Sequence, residues 1–136
     1  RNEMLVFQLI QAGLIAVIFF AFGLKALLLF GLAALVGILL LETVNYIEHY
    51  GLRRQKVSEH RYENVEPHHS WNSNHPIGRV LLFELSRHSD HHFEPHRPYQ
   101  VLKHHEHSRQ MPTGYPGMML LSTIPPLWFM VMNKRL

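Results

Sequence analysis

The sequence contains no cysteine among its 136 residues. Disulfides, thiolate nucleophiles, iron–sulfur clusters and cysteine-ligated zinc are therefore excluded from this stretch, and any metal must be bound through nitrogen or oxygen atoms. The formal net charge is also small, at +3, and no basic run is interleaved with aromatic residues. A nucleic-acid interface needs such a run, so we expect no nucleic acid as a partner.

Charge is absent from most of the N-terminal third of the chain. Residues 4–24 carry no charged side chain, and a second apolar run, residues 26–41, follows after Lys25 alone. A helix needs about 20 apolar residues to cross the hydrocarbon core of a lipid bilayer. The pattern predicts an all-α integral membrane protein whose two transmembrane helices form a tight hairpin. Two buried helices of a soluble protein are the alternative interpretation.

The distribution of basic residues predicts the topology of this hairpin. Only Lys25 lies at the hairpin tip, whereas several Lys and Arg residues follow the second helix. Because cytoplasmic loops of membrane proteins are enriched in Lys and Arg, both ends of the hairpin are expected in the cytoplasm. The histidine-rich helical and loop region that follows is then cytoplasmic as well.

Three segments are predicted along the chain. Residues 1–45 form the transmembrane hairpin, residues 46–117 a histidine-rich cytoplasmic metal-site region, and residues 118–136 an apolar C-terminal segment. The last segment is short and interrupted by Pro125 and Pro126, so we expect it to pack on the protein or lie in the membrane interface.

Histidine is the residue type in excess, since all 12 histidines fall between His49 and His107. His88, His91 and His92 have the spacing i, i+3 and i+4, which on a helix directs three imidazoles from one face toward a common point. This spacing predicts a metal site, with a solvated histidine-rich face as the alternative. Ligation by imidazole alone suits iron, copper, zinc or nickel.

A second polar stripe lies at the end of the second apolar helix. Helical periodicity aligns Glu42, Asn45 and His49, and polar groups at membrane depth usually line a site. The alternative is that Glu48 and His49 only cap the helix end ahead of Gly51. A metal site also needs groups that orient its imidazole ligands, and the candidates are the carboxylates Glu48, Glu84 and Asp90 and the amide Asn45.

Two further segments receive other interpretations. His104, His105 and His107 are flanked by Lys103 and Arg109, which predicts a solvated loop. The segment HSWNSNHP places a tryptophan among small polar residues, so Trp71 either covers a site or only packs.

Four motifs in the same order, NYIEHYGLRRQ, HSWNSN, RHSDHH and PTGYPGM, resemble the C-terminal half of membrane-bound alkane 1-monooxygenases, the non-haem diiron alkane hydroxylases. The resemblance runs from about Glu42 to Leu136, and the two apolar helices would match the last two transmembrane helices of that family. It implies that the metal ligands are His49, His88, His91 and His92. The family's earlier histidine boxes, HExxxH and EHxxGHH, do not occur here. We therefore expect a fragment that needs the N-terminal remainder of the enzyme as its partner.

The resemblance also implies a reaction. The parent enzyme would hydroxylate medium-chain n-alkanes at the terminal carbon to 1-alkanols, using O2, two iron ions and electrons from rubredoxin and its reductase. It would be a multi-pass protein of the inner (cytoplasmic) membrane with its active site on the cytoplasmic side. Candidates for a substrate channel are Ile38, Leu41 and Trp71, and candidates for docking the acidic rubredoxin are Arg53, Arg54 and Lys56.

Two other functions stay open from the sequence. A membrane fatty-acid desaturase or hydroxylase also uses histidine boxes, and RHSDHH contains their HxxHH pattern. A non-catalytic, membrane-anchored histidine-rich module that binds metal would explain the same cluster without the earlier boxes.

Overall fold

The structure is a computed structural model that describes residues 2–136. The chain forms two compact units, with the boundary after Leu41. The first unit consists of apolar helix, and the second, Glu42–Leu136, contains all the histidines. Helix α1, Glu3–His49, supplies the first unit and the start of the second. Within residues 2–136 it is the one helix long and apolar enough to cross a membrane, with a mean hydropathy of 2.6 in its most apolar window.

Helix α1 is interrupted at Gly23, two residues before the predicted interruption at Lys25. Gly23 has φ 79° and ψ 179°, a backbone conformation outside the helical region. A residue without a Cβ atom adopts positive φ at little cost, which explains why the interruption falls on the glycine. The hairpin itself and the number of membrane spans stay predictions.

The second unit is built from short elements separated by loops. Its helices are α2, Pro76–Leu81; α3, His88–Phe93; α4, Tyr115–Ser122; and α5, Pro125–Met132; 3-10 turns lie at Pro67–His69, Tyr99–Val101 and Asn133–Arg135. Strands β1, Lys56–Ser58, and β2, Arg61–Tyr62, pair antiparallel, whereas β3, Trp71–Asn72, and β4, Arg109–Gln110, pair parallel. The all-α prediction therefore misses four strands of two or three residues among residues 2–136. Strands of two residues, such as those paired between positions 71 and 109, are too short to show an alternating apolar pattern in the sequence.

The core of the second unit collects aromatic and methionine side chains from distant parts of the chain. Its buried members are Ile47, Trp71, Met111, Tyr115, Met118, Trp128 and Met132. The C-terminal segment thus packs on the protein, as one of its two predicted placements required. Residues 118–136 lie within the second unit, Glu42–Leu136, and the division of the chain into three segments stays a prediction. Pro125 and Pro126 begin α5, where the missing N–H groups cost nothing.

Helix α1 ends at His49, and the chain turns through Gly51 as expected of a helix terminator. Gly51 has φ 71°, and the amide of Leu52 donates to the carbonyl of His49 at 3.3 Å. The side chain of Leu136 covers this glycine, because a Cβ atom at position 51 would lie 2.4 Å from Leu136 Cδ2. The turn therefore requires glycine both for its backbone angle and for the space it leaves.

We expect Gly51→Ala to destabilise the second unit by about 1–2 kcal/mol, because alanine is strained at positive φ and its methyl group displaces Leu136. The measurement is thermal unfolding of the detergent-solubilised protein. Gly78→Ala is the matched control, since Gly78 lies in α2 and a methyl group added there would have nothing within 4 Å. The control should be neutral or slightly stabilising; equal destabilisation by both would contradict this account.

Candidate metal centre

Three imidazole rings converge in the second unit. Nε2 of His49 lies 3.3 Å from Nε2 of His88 and 3.3 Å from Nε2 of His92. All three residues offer a ring nitrogen within 4.8 Å of the others. The rings meet edge to face, with the centroids of His88 and His92 4.3 Å apart. His49 thus shares one small volume with two histidines that lie 39 and 43 residues away in the sequence.

Two helix segments produce this convergence. His49 is the last residue of α1, and His88 and His92 lie one turn apart on α3. The spacing i, i+4 places both α3 side chains on one face, as the sequence predicted. The structure thus brings together His49 from the first motif and two histidines of the RHSDHH motif.

The outer nitrogens of two of these rings face acceptors. Nδ1 of His49 lies 2.9 Å from the backbone carbonyl of Asn45, and Nδ1 of His88 lies 3.4 Å from Oε1 of Glu48. A backbone carbonyl oxygen only accepts, so Nδ1 of His49 carries the proton, and an ionised Glu48 favours the same tautomer of His88. In these tautomers the Nε2 atoms of the two rings present lone pairs to each other at 3.3 Å. Such an arrangement is repulsive unless a cation lies between the nitrogens.

The spacing and protonation of the rings fit a transition metal. Metal–imidazole bonds of about 2.0–2.1 Å place neighbouring ligand nitrogens about 2.8–3.0 Å apart in octahedral and about 3.3–3.4 Å apart in tetrahedral coordination. Burial, and next the neighbouring imidazoles, lower the pKa of His88 to about 3. The same causes lower the pKa of His92. Both rings are therefore neutral at physiological pH, as metal ligands must be.

His91, the fourth predicted ligand, does not join this group. Its ring centroid lies 6.1 Å from that of His88 and 5.6 Å from that of His92. It is half-buried, on the same helix. Its role as a metal ligand stays a prediction.

The predicted orienting groups divide into two that contact the rings and two that do not. Glu48 contacts His88 through its carboxylate, and Asn45 contacts His49 through its backbone carbonyl instead of its amide. Asp90 is fully buried and accepts instead from Arg97, from the Lys103 amide and from His105. Asp90 therefore fastens the following loop to α3, and its role as an orienting group stays a prediction.

Glu84 likewise has other partners, and its role as an orienting group stays a prediction. Its carboxylate is held by a bidentate pair with Arg79, at 2.8 and 2.9 Å, and lies 3.3 Å from Nε of Arg87. Two guanidinium groups on one carboxylate are stronger partners than an imidazole, so Glu84 belongs to the turn that precedes α3.

The remaining predicted residues lie as follows. Trp71 is buried in the core and donates its indole N–H to the carbonyl of Tyr50 at 2.8 Å, so the structure places it in packing. Ile38 and Leu41 are exposed residues of α1 in the first unit, and their channel role stays a prediction. Arg53, Arg54 and Lys56 are exposed, as a docking surface requires, and their docking role also stays a prediction.

A second group of potential ligands consists of Glu63, His68 and His69, and two of its members are hydrogen-bonded to each other. Nδ1 of His69 accepts from the Glu66 amide at 2.9 Å, so its Nε2 carries the proton and donates to Glu63 at 2.9 Å. Both nitrogens of His69 are thus engaged within the protein. This cluster holds the loop between β2 and β3 and is a structural feature.

Sequence reasoning missed the residues that hold α3 in place. The buried amide of Asn72 donates to the hydroxyls of Ser89 and Ser108 at 2.7 and 2.6 Å and accepts from the Ser89 amide at 2.8 Å. His105, predicted in a solvated loop, donates to Asp90 at 2.6 Å. Each partner lies 15 to 36 residues away in the sequence, and no local pattern indicates such a pair.

The cluster is open on one side. A cavity of about 300 Å³ is lined by His49 and His92 together with Leu52, Arg54, Val65, His69 and Ser70. A metal held by the three imidazoles would therefore retain access for a small molecule from this side.

We expect Asn72→Ala to destabilise the second unit by about 2–3 kcal/mol, because the Ser89 amide and two hydroxyls lose their buried partner. Thermal unfolding of the detergent-solubilised protein measures this loss. The matched control is Asn74→Ala, which removes an exposed amide from the same WNSN sequence and should change stability by no more than about 0.5 kcal/mol. Similar effects of the two substitutions would show that the Asn72 network does not hold α3.

Comparison with known proteins places the chain in a family. The family profile described as Fatty acid desaturase matches residues 2–122. Alkane 1-monooxygenase 1 of Pseudomonas aeruginosa is 47% identical over 99% of this chain and 35% of its own length. Alkane 1-monooxygenase of Acinetobacter baylyi is 51% identical over 75% of this chain and 25% of its own length.

A more distant relative is the xylene/toluene monooxygenase hydroxylase component of Pseudomonas putida, 34% identical over 70% of this chain and 24% of its own length. The chain spans about a third of the length of the first curated relatives that it matches. Its mostly helical structure and long apolar helix are consistent with membrane association and with a membrane desaturase-like fold. The chain belongs to the fatty acid desaturase family, and its similarity within that family is to alkane 1-monooxygenases.

Proposed function

We propose that this chain carries part of the active site of a membrane alkane 1-monooxygenase. The enzyme would hydroxylate medium-chain n-alkanes to 1-alkanols, inserting one oxygen atom of O2 and reducing the other to water with two electrons and two protons. The names of relatives at 42–51% identity support this reaction over desaturation, although both belong to one family. The observation that carries the proposal is the convergence of His49, His88 and His92 through their Nε2 atoms.

These three histidines would hold an iron ion. The iron, when bound, supplies the redox chemistry of O2 activation that no amino-acid side chain provides. The protein supplies neutral imidazoles at the required spacing, and the contacts of Asn45 and Glu48 keep the Nε2 atoms turned inward. A terminal methyl group offers no site for acid–base chemistry, so positioning and exclusion of water are the protein's remaining tasks.

We assign His91 to the second iron of a diiron centre. It is half-buried, lies on the same helix as His88 and His92, and its ring is 5.6 Å from that of His92. The other ligands of this iron would come from the N-terminal remainder of the enzyme, whose HExxxH and EHxxGHH boxes the sequence does not contain.

The substrate and the electron donor would approach from different media. An alkane partitions into the bilayer, so Ile38 and Leu41 on the apolar helix are candidates for its path. Rubredoxin, which receives its electrons from a reductase, would dock on the exposed cations Arg53, Arg54 and Lys56. The enzyme would be a multi-pass protein of the inner membrane with the metal centre on the cytoplasmic side, because these cations follow the apolar helix.

We expect His49→Ala and His88→Ala each to remove most of the bound iron and to abolish 1-alkanol formation, because each deletes a ligand. Iron is measured by elemental analysis of the detergent-purified enzyme that includes the N-terminal remainder, and the product of n-octane by gas chromatography. His60→Ala is the control, since His60 is exposed in a turn, and it should retain both iron and activity.

Two results would contradict this proposal. Iron content unaffected by both ligand substitutions would show that the cluster does not hold the metal. An unsaturated fatty acyl product, with no alcohol from n-octane, would favour the desaturase alternative.

We expect reversal of the charges at Arg53, Arg54 and Lys56 to raise the KM for rubredoxin about tenfold or more and to weaken the dependence of turnover on salt. Iron content should stay unchanged. Lys134→Glu is the matched control, because Lys134 is also exposed but follows α5. Unchanged KM and salt dependence in the triple variant would place rubredoxin elsewhere.

A further inference from the structure

Tyr115 is buried at the start of α4, in the PTGYPGM segment. Its side chain is 1% exposed and packs in the core of the second unit. A tyrosine at such a position differs from phenylalanine only by a hydroxyl group that needs a partner. That partner is Oε1 of Glu48, which accepts from the hydroxyl at 2.6 Å across 67 residues of sequence.

Glu48 is itself buried, with 4% of its surface exposed. The oxygen that accepts from Tyr115 also lies 3.4 Å from Nδ1 of His88. This distance is long for a hydrogen bond, so the contact depends on where the carboxylate is held. The short bond from Tyr115 is the contact that holds it, because a buried carboxylate takes the orientation of its strongest donor.

We propose that Tyr115 is a positioning residue of the metal centre: its hydroxyl holds the Glu48 carboxylate against Nδ1 of His88 and thereby keeps Nε2 of His88 directed at the metal. The proposal rests on the proposed function, in which His88 is a ligand. The chain of contacts runs from α4 through the end of α1 to α3, and so joins three segments of the second unit at one imidazole.

The burial of Tyr115 supports this direction of the bond. Burial, and next the Glu48 carboxylate, raise the pKa of Tyr115 above its ordinary value. The hydroxyl therefore keeps its proton and acts as the donor. Its ring contacts in the core would survive in phenylalanine, which separates the role of the hydroxyl from that of packing.

The test is the affinity of detergent-purified apoprotein for Co²⁺, measured by the visible absorption of the bound ion. We expect Tyr115→Phe to weaken Co²⁺ binding about 10- to 100-fold and to shift the absorption bands, since loss of a group that orients a histidine ligand has this effect. Fold is monitored by circular dichroism. Glu48→Gln should weaken binding by a similar factor, and the double variant should be no weaker than the worse single variant.

Tyr50→Phe is the matched control. Tyr50 follows His49 directly, and its hydroxyl donates to Oδ1 of Asn133 at 2.6 Å, a bond as short as that of Tyr115. Removing the Tyr50 hydroxyl is the same chemical change as in Tyr115→Phe, but the acceptor that loses its donor is the Asn133 amide near the end of the chain. We expect Co²⁺ affinity within about twofold of the starting protein and an unchanged spectrum.

His88→Ala separates failure of this inference from failure of the proposed function. If His88→Ala binds Co²⁺ as tightly as the starting protein, the metal centre itself is wrongly placed. If His88→Ala loses Co²⁺ while Tyr115→Phe matches Tyr50→Phe, the metal centre stands and Tyr115 has no positioning role. Additive losses in the double variant would also overturn the proposal. If Tyr115→Phe does not fold, Glu48→Gln decides: unchanged affinity there removes the link through which Tyr115 is proposed to act.

Discussion

The convergence of imidazole lone pairs is the constraint on which the second unit depends. A carbonyl faces the outer nitrogen of His49 and a carboxylate faces that of His88, which favours protons on these outer nitrogens. In these tautomers the inner nitrogens present lone pairs to each other across 3.3 Å, and a proton or a cation between them is needed to remove the repulsion. A metal ion between them would turn this repulsion into ligation. The positions of these two rings therefore depend on the contacts of their outer nitrogens as well as on the helices that carry them.

A six-residue helix cannot hold two proposed ligands in place by itself. Isolated helices of this length are unstable in water, so α3 depends on tertiary contacts. Those contacts are polar: Asn72 binds the backbone and hydroxyl of Ser89, and Asp90 gathers a guanidinium, an amide and an imidazole from the following loop. Because buried polar groups are costly when unpaired, such a network fixes one arrangement of the helix. The apolar core lies beside this network and supplies the remaining stability.

The features that the sequence predicted are those set by local periodicity. The pairing of His88 with His92 follows from one helical turn, and the end of α1 near Gly51 follows from the same periodicity and from the conformational freedom of glycine. His91 satisfies the same periodicity relative to His88 but lies outside the group. The third member, His49, comes from another helix, and its position relative to α3 decides which histidines of α3 it meets. Local spacing thus indicates candidates, and the tertiary fold selects among them.

The residues that orient the ligands were less predictable, because they were chosen by proximity in the sequence. Asp90 adjoins the ligands along the chain, yet its carboxylate is bound by Arg97 and His105. Glu48 also adjoins a proposed ligand, His49, yet it contacts His88, and the residue that donates to it, Tyr115, is 67 residues away. A buried carboxylate takes the strongest donors that the fold brings to it, whatever their separation in the chain. Orienting groups in this site therefore have to be found by following each ligand's outer nitrogen to its acceptor, and each acceptor to its donor.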